Sequence, residues 1–170
     1  MIFVDVEVKS KKWSEQKNIE KMVQEICAKV ILLTELKKIL TKNFRLEASF
    51  SLVCNSQMKK INFKFCGKNK PTNVLSFASL DEKLIRKDGL KKTIGGANYL
   101  FLGDVVIAFE TLKKEAIEQK KTFENHLTHL ILHSILHLIG FDHEDEKMAE
   151  IMENLEVKIL KKLKIKNPYI

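Results

Sequence analysis

Three histidines and a glycine in the segment "HSILHLIGFDH", residues 133–143, carry the clearest chemical signal in the chain: His133, His137, Gly140 and His143. On a helix, residues four apart share a face, with Cβ atoms roughly 5–6 Å apart. His133 and His137 can therefore reach one ion at the usual metal–nitrogen distance of about 2.0–2.1 Å. Gly140 ends the helix and lets the backbone turn, and His143 lies just beyond, placed to fold back as a third ligand. Three neutral nitrogens and no thiolate leave the double charge of the ion intact and a fourth position open, the make-up of a catalytic rather than a structural zinc site. Such a dication lowers the pKa of a bound water to about 7 and attracts a phosphodiester. A lone histidine on an apolar helix face is usually a satisfied core residue. Three at this spacing, with glycine where the chain must turn, favour the metal, although imidazole suits zinc, nickel and copper alike.

The same spacing occurs in the metzincin zinc proteases, where a glutamate directly follows the first histidine. Here that place is Ser134. A serine hydroxyl cannot take a proton from water near neutral pH, which argues against peptide hydrolysis. A phosphodiester site asks more of the ion itself and less of a separate base. His126 and His129 lie on the same helical stripe; His129 is read as a partner behind a ligand or a polar group lining a cleft, and neither as a ligand. Asp142 and Glu144 flank His143, where a capping aspartate and an exposed glutamate are the plain reading.

The elements that must hold these residues follow from periodicity. "IFVDVEV", residues 2–8, alternates apolar with polar and predicts a first strand. From Ser14 to about Leu40 apolar residues recur at helical spacing, as one long helix or two abutting ones. "LEASFSLVC", 46–54, is a second strand, and "SQMKKINFKFCG" a helix stopped by Gly67. "NVLSFASL", 73–80, and "YLFLGDVVIAF", 99–109, are two more strands, the latter apolar enough to be central. The charged, aperiodic stretch between them is expected to be a mobile surface loop. Three helices close the chain: "TLKKEAIEQKK", "FENHLTHLILHSILHLI" with Thr122 as N-cap, and a last one with Met148, Ile151, Met152, Leu155, Ile159, Leu160 and Leu163 on its apolar stripe. The expected class is α+β: a mixed four-stranded sheet packed with helices, and a metal site at the end of a central histidine-bearing helix.

With 170 residues, of which 45% are hydrophobic, the chain can bury one core without staples, so residues 1–170 are expected to form a single domain. Cys27, Cys54 and Cys66 are odd in number, far apart and without a C-x-x-C pair, which suggests neither disulfides nor thiolate zinc, and a reducing compartment. Asp5 and Glu7 inside the first apolar stretch do not fit a signal peptide, and no apolar run approaches the ~18 residues of a membrane span, so a cytoplasmic protein is expected. Net charge is +8, and 28 of the 30 basic residues are lysine. That balance favours a polyanionic partner, but lysines spread over exposed helix faces give the same total with no partner at all.

The histidine segment resembles the signature of the YbeY family of bacterial endoribonucleases, in which H-G-x-L-H-L-x-G-Y-D-H supplies three zinc ligands. "KPTNVLSF" at 70–77 resembles that family's P-T-[DN]-V-L-S-F strand, "LGDVVIAFE" at 102–110 its L-G-D-[IV]-x-I strand, and "MENLE" its C-terminal helix. The resemblance covers most of residues 50–160. It implies a zinc-dependent endoribonuclease acting on single-stranded RNA in maturation of small-subunit (16S) ribosomal RNA and in ribosome quality control. One Zn2+ per chain would be held by His133, His137 and His143. Implied partners are ribosomal RNA, the small ribosomal subunit and its assembly factors, with no membrane and no DNA. If the family geometry holds, Ser76 and Asp104 line the same cleft; with Ser134 they are the candidate catalytic groups, a structural role for Asp104 being an equal reading.

Ser134 and Ala78 stand where the family more often has glycine and proline, both mild changes. Cys66 is the larger departure, because the family carries an arginine there that is tied to RNA binding or catalysis. An always-charged fork has become an uncharged thiol. Lys64, Lys68 and Lys70, in the same segment, are the candidate RNA-binding replacements. A ribosome-binding assembly factor with a structural metal and little nuclease activity is the alternative reading, and a metalloprotease a distant third.

Overall fold

The computed structural model describes residues 1–81, 85, 89–142 and 146–169. Four strands, β1 (Ile2–Val8), β2 (Arg45–Val53), β3 (Val74–Ala78) and β4 (Tyr99–Ala108), form one mixed sheet in the order β1-β2-β4-β3. β1, β2 and β4 run parallel, and β3 lies antiparallel along β4 at the edge. Parallel neighbours need a crossover, and α1 (Ile19–Leu33) provides it between β1 and β2. α2 (Asn55–Cys66) follows β2, a single turn α3 (Leu90–Thr93) precedes β4, and α4 (Phe109–Glu118), α5 (Phe123–Leu138) and α6 (Glu146–Lys162) complete the chain. The α+β class and all four strands agree with the periodicity of the sequence, and β4 is central as its apolar run implies.

Alternate residues of a strand serve opposite faces of the sheet. On β4, Val105 and Ile107 join the larger core with Val23 and Ile31 of α1 and Ile131 and Ile135 of α5, whereas Val106 and Ala108 meet Val53 and Met58 in a smaller core under α2. β3 divides in the same way: Val74 and Ala78 pack on the larger core, Leu75 and Phe77 on the smaller one. Ser76 is in phase with Val74 and Ala78 and so faces the side of α5.

The helix expected from Ser14 to Leu40 is divided into α1 and two flanking 3-10 turns, Lys11–Glu15 and Glu35–Lys38. Thr34 makes the second break. Its backbone is extended, its hydroxyl donates to the Ile31 carbonyl at 2.9 Å, and its oxygen accepts from the Leu36 amide at 3.4 Å, local bonds that compete with helix. In the first turn Trp13 is fully buried, donates Nε1–H to the Val53 carbonyl at 3.0 Å, and meets Phe109 and Phe123 edge-on at 5.2 and 6.0 Å. One indole thereby fastens the end of β2 to the starts of α4 and α5.

The segment between β3 and β4, expected as a mobile surface loop, partly falls on residues outside the description. Its described part is anchored: Ile85 and Leu90 are buried in the larger core. A few apolar residues scattered among charges are too sparse to show a period, yet Ile85 and Leu90 are enough to pin a loop.

Gly103 is the tightest point of the sheet. Between the pairs Glu47–Phe101 and Ser49–Asp104 the β2–β4 register slips by one residue, a bulge. Gly103 there has φ +137°, and a Cβ would fall 2.1 Å from the Phe77 carbonyl oxygen and 3.0 Å from Leu138 Cδ2. The glycine of the "LGD" segment therefore lets β3 and α5 close on β4. Gly103→Ala should lower unfolding free energy by at least about 1–3 kcal/mol, read as a fall in the urea midpoint.

Candidate active site

α5 opens on Thr122, whose hydroxyl accepts from the Asn125 amide at 3.1 Å, and it is buried on most of its circumference by Leu127, Leu130, Ile131, Ile135 and Leu138. His126, His129, His133 and His137 form a row along the rest, with successive ring centroids 6.2, 6.4 and 4.5 Å apart. At the end of the row the Nε2 atoms of His133 and His137 stand 3.1 Å apart. Two nitrogens bound tetrahedrally to one zinc ion would be separated by about 3.3 Å, so both lone pairs can turn to a single ion with little movement.

These two rings look into a cleft of about 320 Å³ between α5 and the edge strand, walled opposite by Thr72, Asn73, Val74 and Ser76. Of the candidate catalytic groups, Ser76 is brought to the histidines. Asp104 is exposed on β4 opposite Phe77, on the α2 side of the sheet. Ser134 is fully buried and donates to the Leu130 carbonyl at 2.8 Å; neither residue lines the cleft. His143 and Glu144 lie outside the described residues. Among the described residues no three His, Cys, Asp or Glu side chains converge on one metal position; the described chain supplies the two imidazoles.

Lys64, Lys68 and Lys70 are all exposed around the C-terminal end of α2, where Gly67 takes φ +68°. The Lys64 ammonium lies 5.1 Å from the Phe65 ring, which packs at 5.1 Å on Phe77. Cys66 is an exposed thiol. The buried Asn62 amide holds the following loop by donating to the Lys70 carbonyl at 2.7 Å, and from there the chain runs directly into Thr72 and Asn73 of the cleft wall.

Two carboxylates outside the histidine segment support the row. Glu156 of α6 is fully buried, and the Nδ1–H of His133 donates to its Oε1 at 2.8 Å. The hydroxyl of Tyr169 donates to Oε2. Burial alone would raise this carboxyl, but hydrogen bonds from His129, His133 and Tyr169 outweigh it and hold its pKa at about 2. Of these the His129 contact is the loosest, with Nε2 3.5 Å from Oε2, too long for a well-formed hydrogen bond. Burial and the adjoining Glu156 push the Tyr169 phenol up, so it stays protonated as a donor. Glu115 of α4 meets His126 Nε2 at 2.8 Å and accepts from Asn73 Nδ2 at 2.9 Å. Here too burial works upward and is outweighed, by the His126 and Asn73 hydrogen bonds, leaving Glu115 below its ordinary value. The sequence signal for Glu156 is a carboxylate inside the apolar stripe of its helix, four residues after Met152 and three before Ile159. For Glu115 and Tyr169 no comparable local signal exists.

The family model described as endoribonuclease YbeY matches residues 5–164. Among curated proteins, the endoribonuclease YbeY of Zymomonas mobilis is 38% identical over 169 residues, covering 99% of this chain and 93% of its own length. That of Bartonella henselae is 41% identical with 99% and 98% covered, and that of Francisella philomiragia 47% identical over 124 residues, 73% of each chain. Among solved structures, a Thermotoga maritima protein determined in solution superposes with a TM-score of 0.55 at 21% identity over 95% of this chain and 92% of its own, which bears on the fold alone.

Glu115 ties β3, α4 and α5 together as a carboxylate. Glu115→Gln should cost about 1–2 kcal/mol at pH 7. Because the folded pKa is depressed, the stability due to ionised Glu115 is present above the ordinary value of 4.5 and is lost as pH falls through the lower folded value. The gap between wild type and variant should therefore shrink below pH 4.5 in urea titrations at pH 7, 4 and 3.

Proposed function

The chain belongs to the YbeY family of endoribonucleases, and from that premise we propose that it cleaves single-stranded RNA at the cleft beside His133 and His137 in the maturation of small-subunit ribosomal RNA. The observation that carries the reading to particular atoms is the facing pair of Nε2 atoms at 3.1 Å, with Nδ1 of His133 committed to Glu156. That donor set fits one Zn2+ per chain, with His143 as third ligand. When bound, the ion supplies charge neutralisation on the phosphodiester and a water of lowered pKa.

The residues of the chain do the rest. His133 and His137 orient the centre from a helix packed into the core, which limits their freedom to drift. The Ser76 hydroxyl, on the facing wall, donates a hydrogen bond to a phosphate oxygen. Lys64, Lys68 and Lys70 track the RNA backbone from the loop that leads into the cleft wall. Asp104, exposed on the α2 side of the sheet, and Ser134, bonded to the Leu130 carbonyl of its own helix, take no part in the cleft. The protein acts as one domain in the cytoplasm with the small ribosomal subunit and its assembly factors as partners, and among the described residues no helix is long and apolar enough to cross a membrane.

Cys66 favours a second reading, an assembly factor that binds the ribosome with little nuclease activity, because the position is exposed and uncharged where the family arginine stands. End-labelled single-stranded RNA separates the two. Zinc-loaded wild type is expected to turn it over, and His137→Ala, purified identically, to lose at least about 100-fold in rate with an unchanged circular dichroism spectrum. Equal silence or equal activity in both samples would reject the nuclease reading in favour of the assembly factor. Alanine at Lys64, Lys68 and Lys70 together should weaken RNA binding and reduce the slope of log K against log salt by about 2, near 0.7 for each phosphate that is no longer neutralised. An unchanged slope would remove the lysines from the interface.

A further inference from the structure

Glu156 is out of place as a stabilising residue. It occupies the inner stripe of α6 with Met152, Ile159 and Leu160, and has no exposure. Replacing a buried charge together with its polar partners by apolar residues of similar volume is often neutral or stabilising, so fold stability alone does not call for a carboxylate there. Its two oxygens are both used. Oε1 accepts from His133 Nδ1 at 2.8 Å, and Oε2 accepts from the Tyr169 hydroxyl.

An imidazole that donates from Nδ1 keeps its lone pair on Nε2, and in His133 that is the atom facing His137. Tyr169 comes from beyond the end of α6. Its ring meets His129 edge-on at 5.9 Å, and the tail is held by the Lys121 ammonium donating to the Pro168 carbonyl at 3.4 Å and by the Tyr169 amide donating to Asn167 Oδ1 at 2.9 Å. The tail lines a second cavity of about 330 Å³ with Glu115, His126 and His129, which adjoins the cleft through Asn73, Val74 and His133.

We propose that Glu156 and Tyr169 are positioning residues of the metal centre: Glu156 locks His133 in the tautomer that presents Nε2 to the ion, and Tyr169 locks Glu156, so that the C-terminal tail is a working part of the site. The inference rests on the reading that His133 and His137 hold the ion. A carboxylate behind a ligating histidine fixes ring orientation and raises ligand basicity, and its loss costs about 10–100-fold in metal affinity.

The test uses the full chain and zinc itself, titrated against a chromogenic chelator, together with long-range proton–nitrogen spectra of the imidazoles in the metal-free protein. In wild type, His133 is expected as the Nδ1–H tautomer. Glu156→Leu leaves the His133 and Tyr169 donors without their acceptor and should lower thermal stability, while zinc affinity falls by about 10–100-fold and the tautomer preference is lost. Glu156→Gln should show the same loss of preference, since an amide can serve either nitrogen as donor or acceptor. Tyr169→Phe should weaken zinc by a smaller factor with the fold unchanged.

Zinc affinity within twofold of wild type in all three variants, or His133 remaining the Nδ1–H tautomer without Glu156, would overturn the inference while leaving the metal site standing. Zinc binding that survives His137→Ala would overturn the metal reading itself, and this inference with it.

Discussion

A helix buried on most of its surface carries imidazoles along the remainder at a cost for every ring nitrogen that finds no partner, since an unmet polar atom in the interior costs more than a made bond returns. α5 offsets that cost at one nitrogen of each of two histidines through neighbours on either side: Glu115 from α4 takes Nε2 of His126, and Glu156 from α6 takes Nδ1 of His133. The packing angles of three helices are therefore tied to one row of hydrogen bonds. His129, between them, has both nitrogens buried and makes no well-formed hydrogen bond among the described residues. It is held chiefly by rings and packing.

The edge strand is bound into the same arrangement. Asn73 immediately precedes β3, donates to Glu115 through its amide and accepts the Val74 amide at 2.7 Å through its Oδ1. Gly103 lets that strand and Leu138 of α5 approach β4 without a side chain between them. The cleft is thus the space left between a strand fastened at its start by Asn73 and a helix fastened by Glu115, with Ser76 on one wall and His133 and His137 on the other. Its width is set by bonds made outside it.

What the sequence discloses here follows from the range of each interaction. The histidines at i and i+4, the Thr122 cap and the Gly67 stop are local, and the structure shows the helix row, the cap and the stop as the spacing implies. The alternation of β2 and the apolar run of β4 likewise give the strands and the central place of β4. The break at Thr34 is hidden because apolar periodicity continues through it, and only a side-chain bond ends the helix. Glu156, Glu115 and Tyr169 meet their partners 23, 11 and 13 residues away, so a local window marks at most Glu156, as a carboxylate inside an apolar stripe, and names no partner for any of the three. The absent glutamate at Ser134 is explained by place: that side chain points into the core, away from the cleft.

The two faces of the sheet hold the proposed RNA-binding lysines and the imidazoles apart. Lys64 and the exposed Phe65 ride on α2, packed through Met58 and Phe77 on one face, while the imidazoles belong to α5 on the other. Between them lies β3, an edge strand five residues long. A polymer that touches both must fold over this rim within a few nucleotides. A single strand bends so sharply at little cost, whereas a base-paired helix is stiff over far greater lengths. Discrimination between paired and unpaired substrate would then arise from the contour of the protein, with no side chain assigned to read it.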